Sequence, residues 1–205
     1  MATEIISTIL QLLVFTAIPF LFHLISTRKV AGFFQTVGLK PAPWRVLARS
    51  LFITLILSAP VILIAHLSTD FLEIMHNPKS VTGKIREMGP GWETWATILL
   101  IAFLKTALGE ELFFRGFVAK KLIKLMGFRM GNIVQAVLFG VIHALLFASV
   151  TNNILFILFI FLFPTMAAYL MVILNEKEAD GSIFPGWIAH AMGNVFAYSF
   201  FAFFV

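Results

Sequence analysis

The strongest constraint on this chain is a series of apolar segments, each close to the length of about 20 residues at which an α-helix crosses a bilayer. Such a segment must satisfy its backbone hydrogen bonds internally, so helix is the form it takes outside a closed barrel. The segments run from about Glu4 to Ser26, Val46 to Leu67, Trp92 to Val118, Met130 to Ser149, Ile154 to Leu174 and Ile183 to Phe204. Of the 205 residues, 60% are hydrophobic and 12% are charged. A water-soluble domain carries roughly 25% charged residues, so this chain cannot cover a water-facing surface. The expected fold class is all-α: a polytopic transmembrane helical bundle of roughly six spans. It forms one transmembrane domain over residues 1–205, with no room for a separate soluble module.

The connectors carry the remaining information about placement. Arg28 to Trp44 holds Val30, Phe33, Phe34 and Val37 and reads as a short segment at the membrane interface. Asp70 to Gly91 is the longest polar stretch, punctuated by Asn77-Pro78 and Gly89-Pro90-Gly91 and read as a loop. Trp92 and Trp95 mark the point where the chain re-enters the membrane. The phenylalanines read as lipid-facing bulk, and Pro19, Pro60 and Pro164 as kinks. With the N-terminus outside, the inner connectors hold Arg28, Lys29, Lys40, Arg45, Arg49, Lys120, Lys121, Lys124, Arg129 and Lys177. The outer ones hold only Lys79, Lys84 and Arg86. The positive-inside rule favours that orientation. The formal charge of +5 therefore belongs to membrane flanks and does not point to nucleic acid. Cysteine is absent, which removes disulfides, thiolate metal sites and a cysteine nucleophile.

Against this background, a few ionisable residues stand where they are costly. The third segment contains Lys105-Thr-Ala-Leu-Gly-Glu110-Glu111-Leu-Phe-Phe-Arg115. A carboxylate at the centre of a spanning helix costs roughly 2.5–3.5 kcal/mol on an insertion scale. Glu111 and Arg115 are four apart, share a helix face and can pair. Glu110 points about 100° away and lacks that partner. One carboxylate is thus neutralised and the other left to titrate, a division that recurs in general bases. His143 lies in the fourth segment, in Phe139-Gly-Val-Ile-His143, and His190 and Asn194 share a face of the sixth. Each has a bland reading: a buried ion pair that orders the bundle, or a histidine hydrogen-bonded to a neighbouring helix. Their co-occurrence on three segments favours convergence on one polar cavity. Lys105 either snorkels or balances a carboxylate inside the bundle. His23, His66 and His76 read as interfacial or loop residues.

The chemistry open to such a cluster is hydrolysis by activated water. Glu110 would take a proton from a water held jointly with His143. His190 and Asn194 would donate to a developing oxyanion, with Glu111 and Arg115 in support. A zinc version would use Glu110, His143 and His190 as ligands, although no His-Glu-x-x-His spacing is present. The same cluster would also serve a proton-coupled transporter or a non-catalytic immunity or scaffold protein.

Three motifs, Glu110-Glu111-x-x-x-Arg115, Phe139-x-x-x-His143 and His190-x-x-x-Asn194, occur in this order and each in its own apolar segment. Together they resemble the signature of the CAAX-protease and bacteriocin-processing (CPBP, abortive-infection) family, with Gly38-Leu39 as a further likeness. The motif-bearing core is about 92–204. The resemblance implies an intramembrane endopeptidase acting on a membrane-associated protein or peptide, of CAAX type or bacteriocin and pheromone type. It implies Glu110 as catalytic base with His143 as water-binding partner. His190 and Asn194 become the oxyanion donors, and Glu111 and Arg115 a supporting pair. A glutamate mechanism with no metal or other cofactor is preferred, zinc being the alternative. The expected partners are the lipid bilayer and the membrane-associated substrate, with no nucleic acid. The expected location is a bacterial plasma membrane, with the cavity open toward the cytoplasm.

Overall fold

The structure, a computed structural model, describes residues 1–205 and contains helices and no strand. The first elements are α1 (Ala2–Thr27), α2 (Phe33–Thr36), α3 (Trp44–Leu67), α4 (Thr69–Met75), α5 (Val81–Met88) and α6 (Trp92–Leu99). Two π-helical stretches follow, π1 (Leu100–Leu108) and π2 (Glu111–Ala119), with Glu110 at their junction. Then come α7 (Lys120–Ala148), α8 (Ile154–Ile173), a short π3 (Leu174–Glu178) and α9 (Phe184–Phe203).

Four helical stretches are long and apolar enough to cross a membrane: Ala2–Thr27, Trp44–Leu67, Trp92–Ala148 and Ile154–Glu178. The third has 57 residues, or roughly 85 Å of straight helix against a hydrocarbon core of about 30 Å. It does not stay straight. Gly127 adopts φ 79° and ψ 164°, a conformation that glycine tolerates and side chains resist. The two limbs fold back on each other there, bringing the Phe114 and Phe139 rings to 5.0 Å. The expected connector between the third and fourth spans is therefore helical on both sides of a one-residue break. Splitting that stretch at Gly127 and adding α9 makes six rods. The apolar run of α9 is diluted by His190 and Asn194.

Three expectations need correction. The polar stretch Asp70–Gly91 is not a plain loop: it folds into α4 and α5, capped by the Ser68 and Ser80 side chains. α5 then lies against the end of α9, where Arg86 donates to the carbonyl of Phe201 at 3.1 Å and to the Val205 oxygen just past the helix at 2.5 Å. The Phe201 carbonyl is one that a helix end leaves unpaired. Second, the segment around α2 is half interface and half core. Val30 and Phe34 are exposed, but Phe33 and Val37 are buried against Leu112 and Ile183. Third, many phenylalanines face inward. Phe71, Phe114, Phe139, Phe156 and Phe201 are all buried, and Phe71 packs against Phe156, Phe159 and Phe201. Lipid and protein interior are equally apolar, so hydropathy does not separate the two faces.

A second brace aims α9. Gly38 (φ +80°) lies so close to the Gly181 carbonyl that a Cβ would strike it. Its own carbonyl accepts from the Ile183 N–H at 3.0 Å, and the Ser182 hydroxyl donates to the Lys40 carbonyl at 2.6 Å. Lys40 also pairs with Asp180 at 2.8 Å, which holds that carboxyl below the usual range. The loop before α3 is thus stitched to the loop that starts α9.

Candidate active site

The cluster begins at the π-helical stretches. A π-helix bonds five residues apart and is rarely sustained except near functional positions. Its carbonyls need partners in a membrane interior, and two neighbours supply them. Trp187 of α9 donates its indole N–H to the Phe103 carbonyl at 2.7 Å, and Gln11 of α1 donates to Lys105 at 2.8 Å. The same contacts fasten α1 and α9 to the segment that presents the glutamates.

Glu111 and Arg115 pair as their spacing predicts, at 3.4 Å, with side chains 0% and 3% exposed. The pair has more company than expected. Arg115 stacks its guanidinium over the Phe139 ring at 4.1 Å. His190 places Nδ1 at 3.2 Å from Glu111 Oε1. The other carboxylate oxygen, Oε2, is buried without a hydrogen bond, as is the Asn175 side-chain nitrogen. Both crowd Gly186: a Cβ there would lie 2.6 Å from Glu111 Oε2 and 2.8 Å from Asn175 Nδ2. Asn175 Oδ1 in turn accepts from the Gly186 N–H at 2.9 Å. Close approach of backbone to carboxylate is what makes glycine necessary at 186.

Glu110 Oε2 lies 4.0 Å from His143 Nε2 and 3.9 Å from His190 Nε2, and it is buried with no hydrogen-bond partner. These separations exceed a direct hydrogen bond but suit a bridging water about 2.8 Å from each atom. The tautomer of His143 follows from its other nitrogen. Nδ1 lies 2.8 Å from the Phe139 carbonyl, which only accepts, so Nδ1 carries the proton and Nε2 offers a lone pair. Phe139 supports this placement, its ring centroid 4.3 Å from that of His143. His190 is held differently, with Nδ1 toward Glu111 and Nε2 toward Glu110. When it is an imidazolium, both nitrogens donate.

Asn194 donates Nδ2 to the Thr106 hydroxyl at 2.8 Å, and Thr106 donates to the Ile101 carbonyl at 2.9 Å. One amide hydrogen is thereby used and the other is left free. Lys105 plays no part here, because it pairs with Glu4 of α1 at 2.8 Å. His23 is buried and bonded to Ala31 and Thr36, away from the cluster.

A cavity of about 210 Å³ opens beside these groups. Glu111, Arg115, His143, His190 and Asn194 form its polar wall, and α3 and α8 supply apolar residues such as Leu57, Phe163 and Pro164. Glu110 does not itself line the cavity, but its buried Oε2 lies within 4.0 Å of the Nε2 atoms of the two histidines that do. Ser58 lines the cavity, but its hydroxyl is tied to the Thr54 carbonyl at 2.9 Å and has no base beside it. Sequence reasoning missed Thr106, Asn175, Gly186 and the walls from α3 and α8. A threonine that bonds back to its own helix and a buried asparagine leave no distinctive spacing.

The zinc set Glu110, His143 and His190 has a geometric test. Tetrahedral ligands at zinc distances sit roughly 3.3 Å apart, whereas the Glu110 carboxylate is 3.9 and 4.0 Å from the two imidazoles. No group of three or more His, Cys, Asp or Glu side chains is arranged to hold a metal ion. The residues as placed do not fit a three-ligand metal centre.

Residues 91–196 match the family described as type II CAAX prenyl endopeptidase Rce1-like. No curated protein and no solved structure matches the chain. The matched span covers just over half of the 205 residues and contains all three motifs. Its apolar helices make the chain an integral membrane protein, and it belongs to the Rce1-like family of type II CAAX prenyl endopeptidases.

Proposed function

We propose that this protein hydrolyses a peptide bond of a membrane-associated protein or peptide, using a water activated by Glu110 and His143. The observation that carries the proposal is the position of Glu110 Oε2, about equidistant from the Nε2 atoms of His143 and His190 and otherwise unpartnered. A water in that space donates one hydrogen to Glu110 and the other to the lone pair of His143. As its oxygen attacks the scissile carbonyl carbon, Glu110 takes the proton. The carbonyl π electrons move to oxygen, and the oxyanion is met by the His190 imidazolium Nε2–H and the free amide hydrogen of Asn194. Collapse of the tetrahedral intermediate breaks the C–N bond, and Glu110 returns the proton to the leaving nitrogen. Glu111 and Arg115 touch no reacting atom in this scheme. Glu111 keeps His190 oriented through the Nδ1 contact, and Arg115 offsets the Glu111 carboxylate.

The apolar walls from α3 and α8 suit a substrate delivered from the bilayer as an extended peptide with apolar side chains. In the orientation that puts most basic connectors inside, such a substrate reaches the site from the cytoplasmic side of a bacterial plasma membrane. The six rods are read as six crossings.

The test is cleavage of a fluorogenic peptide by the purified protein after exhaustive metal chelation. The proposal expects full activity in the chelated sample. Loss of activity on chelation, with recovery on adding Zn²⁺, would overturn the glutamate mechanism. Absence of any cleavage, together with Glu110-dependent proton flux in liposomes, would favour a transporter.

A further inference from the structure

A second cavity, of about 180 Å³, lies on the other side of π2 from the catalytic cluster and shares no residue with it. Its walls come from the end of α1, from α2, and from the π2–α7 junction, where Gly116 gives close access. Lys120, Lys121 and Lys124 all line it, and no carboxylate does. Lys120 is balanced by Glu176 at 2.5 Å and also donates to the Gly181 carbonyl. Lys121 and Lys124 have no ion-pair or hydrogen-bond partner; the Lys121 ammonium rests over the Phe22 ring at 4.1 Å. Two uncompensated positive charges thus face one cavity, next to the unpartnered Ser26 hydroxyl.

The level of this cavity matters as much as its charge. It sits at the last turn of α1, a helix apolar enough to cross a membrane, which is the depth of lipid headgroups. Leu21, Phe22 and Ile25 run down the exposed side of α1 beside it, with Ile25 78% exposed. A ligand with an anionic head and an apolar tail matches both features. Basic pockets between spanning helices are a known means of headgroup recognition.

We infer that this cavity is a binding site for the phosphodiester headgroup of an anionic phospholipid, held by Lys121 and Lys124 with Ser26 donating to a phosphate oxygen. A zwitterionic lipid is disfavoured because its own cation would face the two lysines. The inference does not depend on the peptidase reading.

Native mass spectrometry tests it. Purified protein is offered equal amounts of phosphatidylglycerol and phosphatidylcholine. The wild type is expected to retain phosphatidylglycerol selectively. Each lysine contributes about a fivefold preference near such a surface, so K121Q/K124Q should weaken retention by about 25-fold. K121R/K124R, which keeps the charge, should restore it. K79Q/R45Q removes two exposed basic residues elsewhere and should change little. Undiminished retention in K121Q/K124Q, or an equal loss in K79Q/R45Q, would overturn the site. Displacement of the lipid by millimolar inorganic phosphate would reassign it to a soluble phosphate and overturn the lipid assignment.

Discussion

At the residue scale, what distinguishes the two adjacent glutamates is the company each keeps. Glu111 is tied to Arg115 and His190, and Glu110 faces two imidazole nitrogens across a water-sized gap. The cost of charge in an apolar helix made the glutamates, both histidines and Asn194 conspicuous in the sequence. The i,i+4 spacing also gave the Glu111–Arg115 pair. The contact of His190 with Glu111 was not legible, because it joins residues 79 apart and depends on how α9 rotates against π2. Asn194 and Thr106 yield one prediction. N194A should lower kcat by about 10²-fold, the range for loss of an oxyanion donor, with little change in KM. T106V should give a smaller loss in kcat that T106S restores, because serine keeps the hydroxyl that orients the amide. Gly186 yields another. A methyl group there would press on Glu111 Oε2 and Asn175 Nδ2, so G186A should cost about 1–3 kcal/mol of stability. Thermal unfolding in detergent checks that, with peptide cleavage as a second readout.

At the element scale, the long stretch Trp92–Ala148 does most of the positioning. Its break at Gly127 sets Phe114 and Arg115 against Phe139, and that contact brings His143 alongside Glu110. Two apolar runs separated by lysines predict two helices. They do not predict that a single glycine makes the turn, because Lys120 to Met126 are good helix formers with no other breaker among them. The φ and ψ of Gly127 are nearly closed to other residues, so G127A should lower stability by about 1–3 kcal/mol. A thermal midpoint equal to that of wild type would contradict the hairpin geometry described here. The π-helical stretches were equally hidden, since their wider turn has no sequence period of its own, and π1 is braced by Trp187 and Gln11 from other helices.

At the scale of the whole molecule, composition settled that the chain is helical and membrane-embedded, because so apolar a chain has no other way to bury its surface. Composition could not show which phenylalanines face lipid and which face protein. The proposed orientation is open to a direct check, since the chain has no cysteine to confuse labelling. A single cysteine at Lys79 should react with an impermeant maleimide from outside intact cells, and one at Lys177 only after the membrane is opened. The reverse pattern would invert the topology. The central claim is that these rods converge to activate water for peptide hydrolysis through Glu110. Its most direct test is single-turnover cleavage of a reporter peptide by purified wild type and by E110Q, a near-isosteric change that removes the base. The account predicts cleavage by wild type and a loss of at least about 10²-fold in E110Q, with unchanged helix content and thermal midpoint. Cleavage by E110Q at the wild-type rate would contradict it.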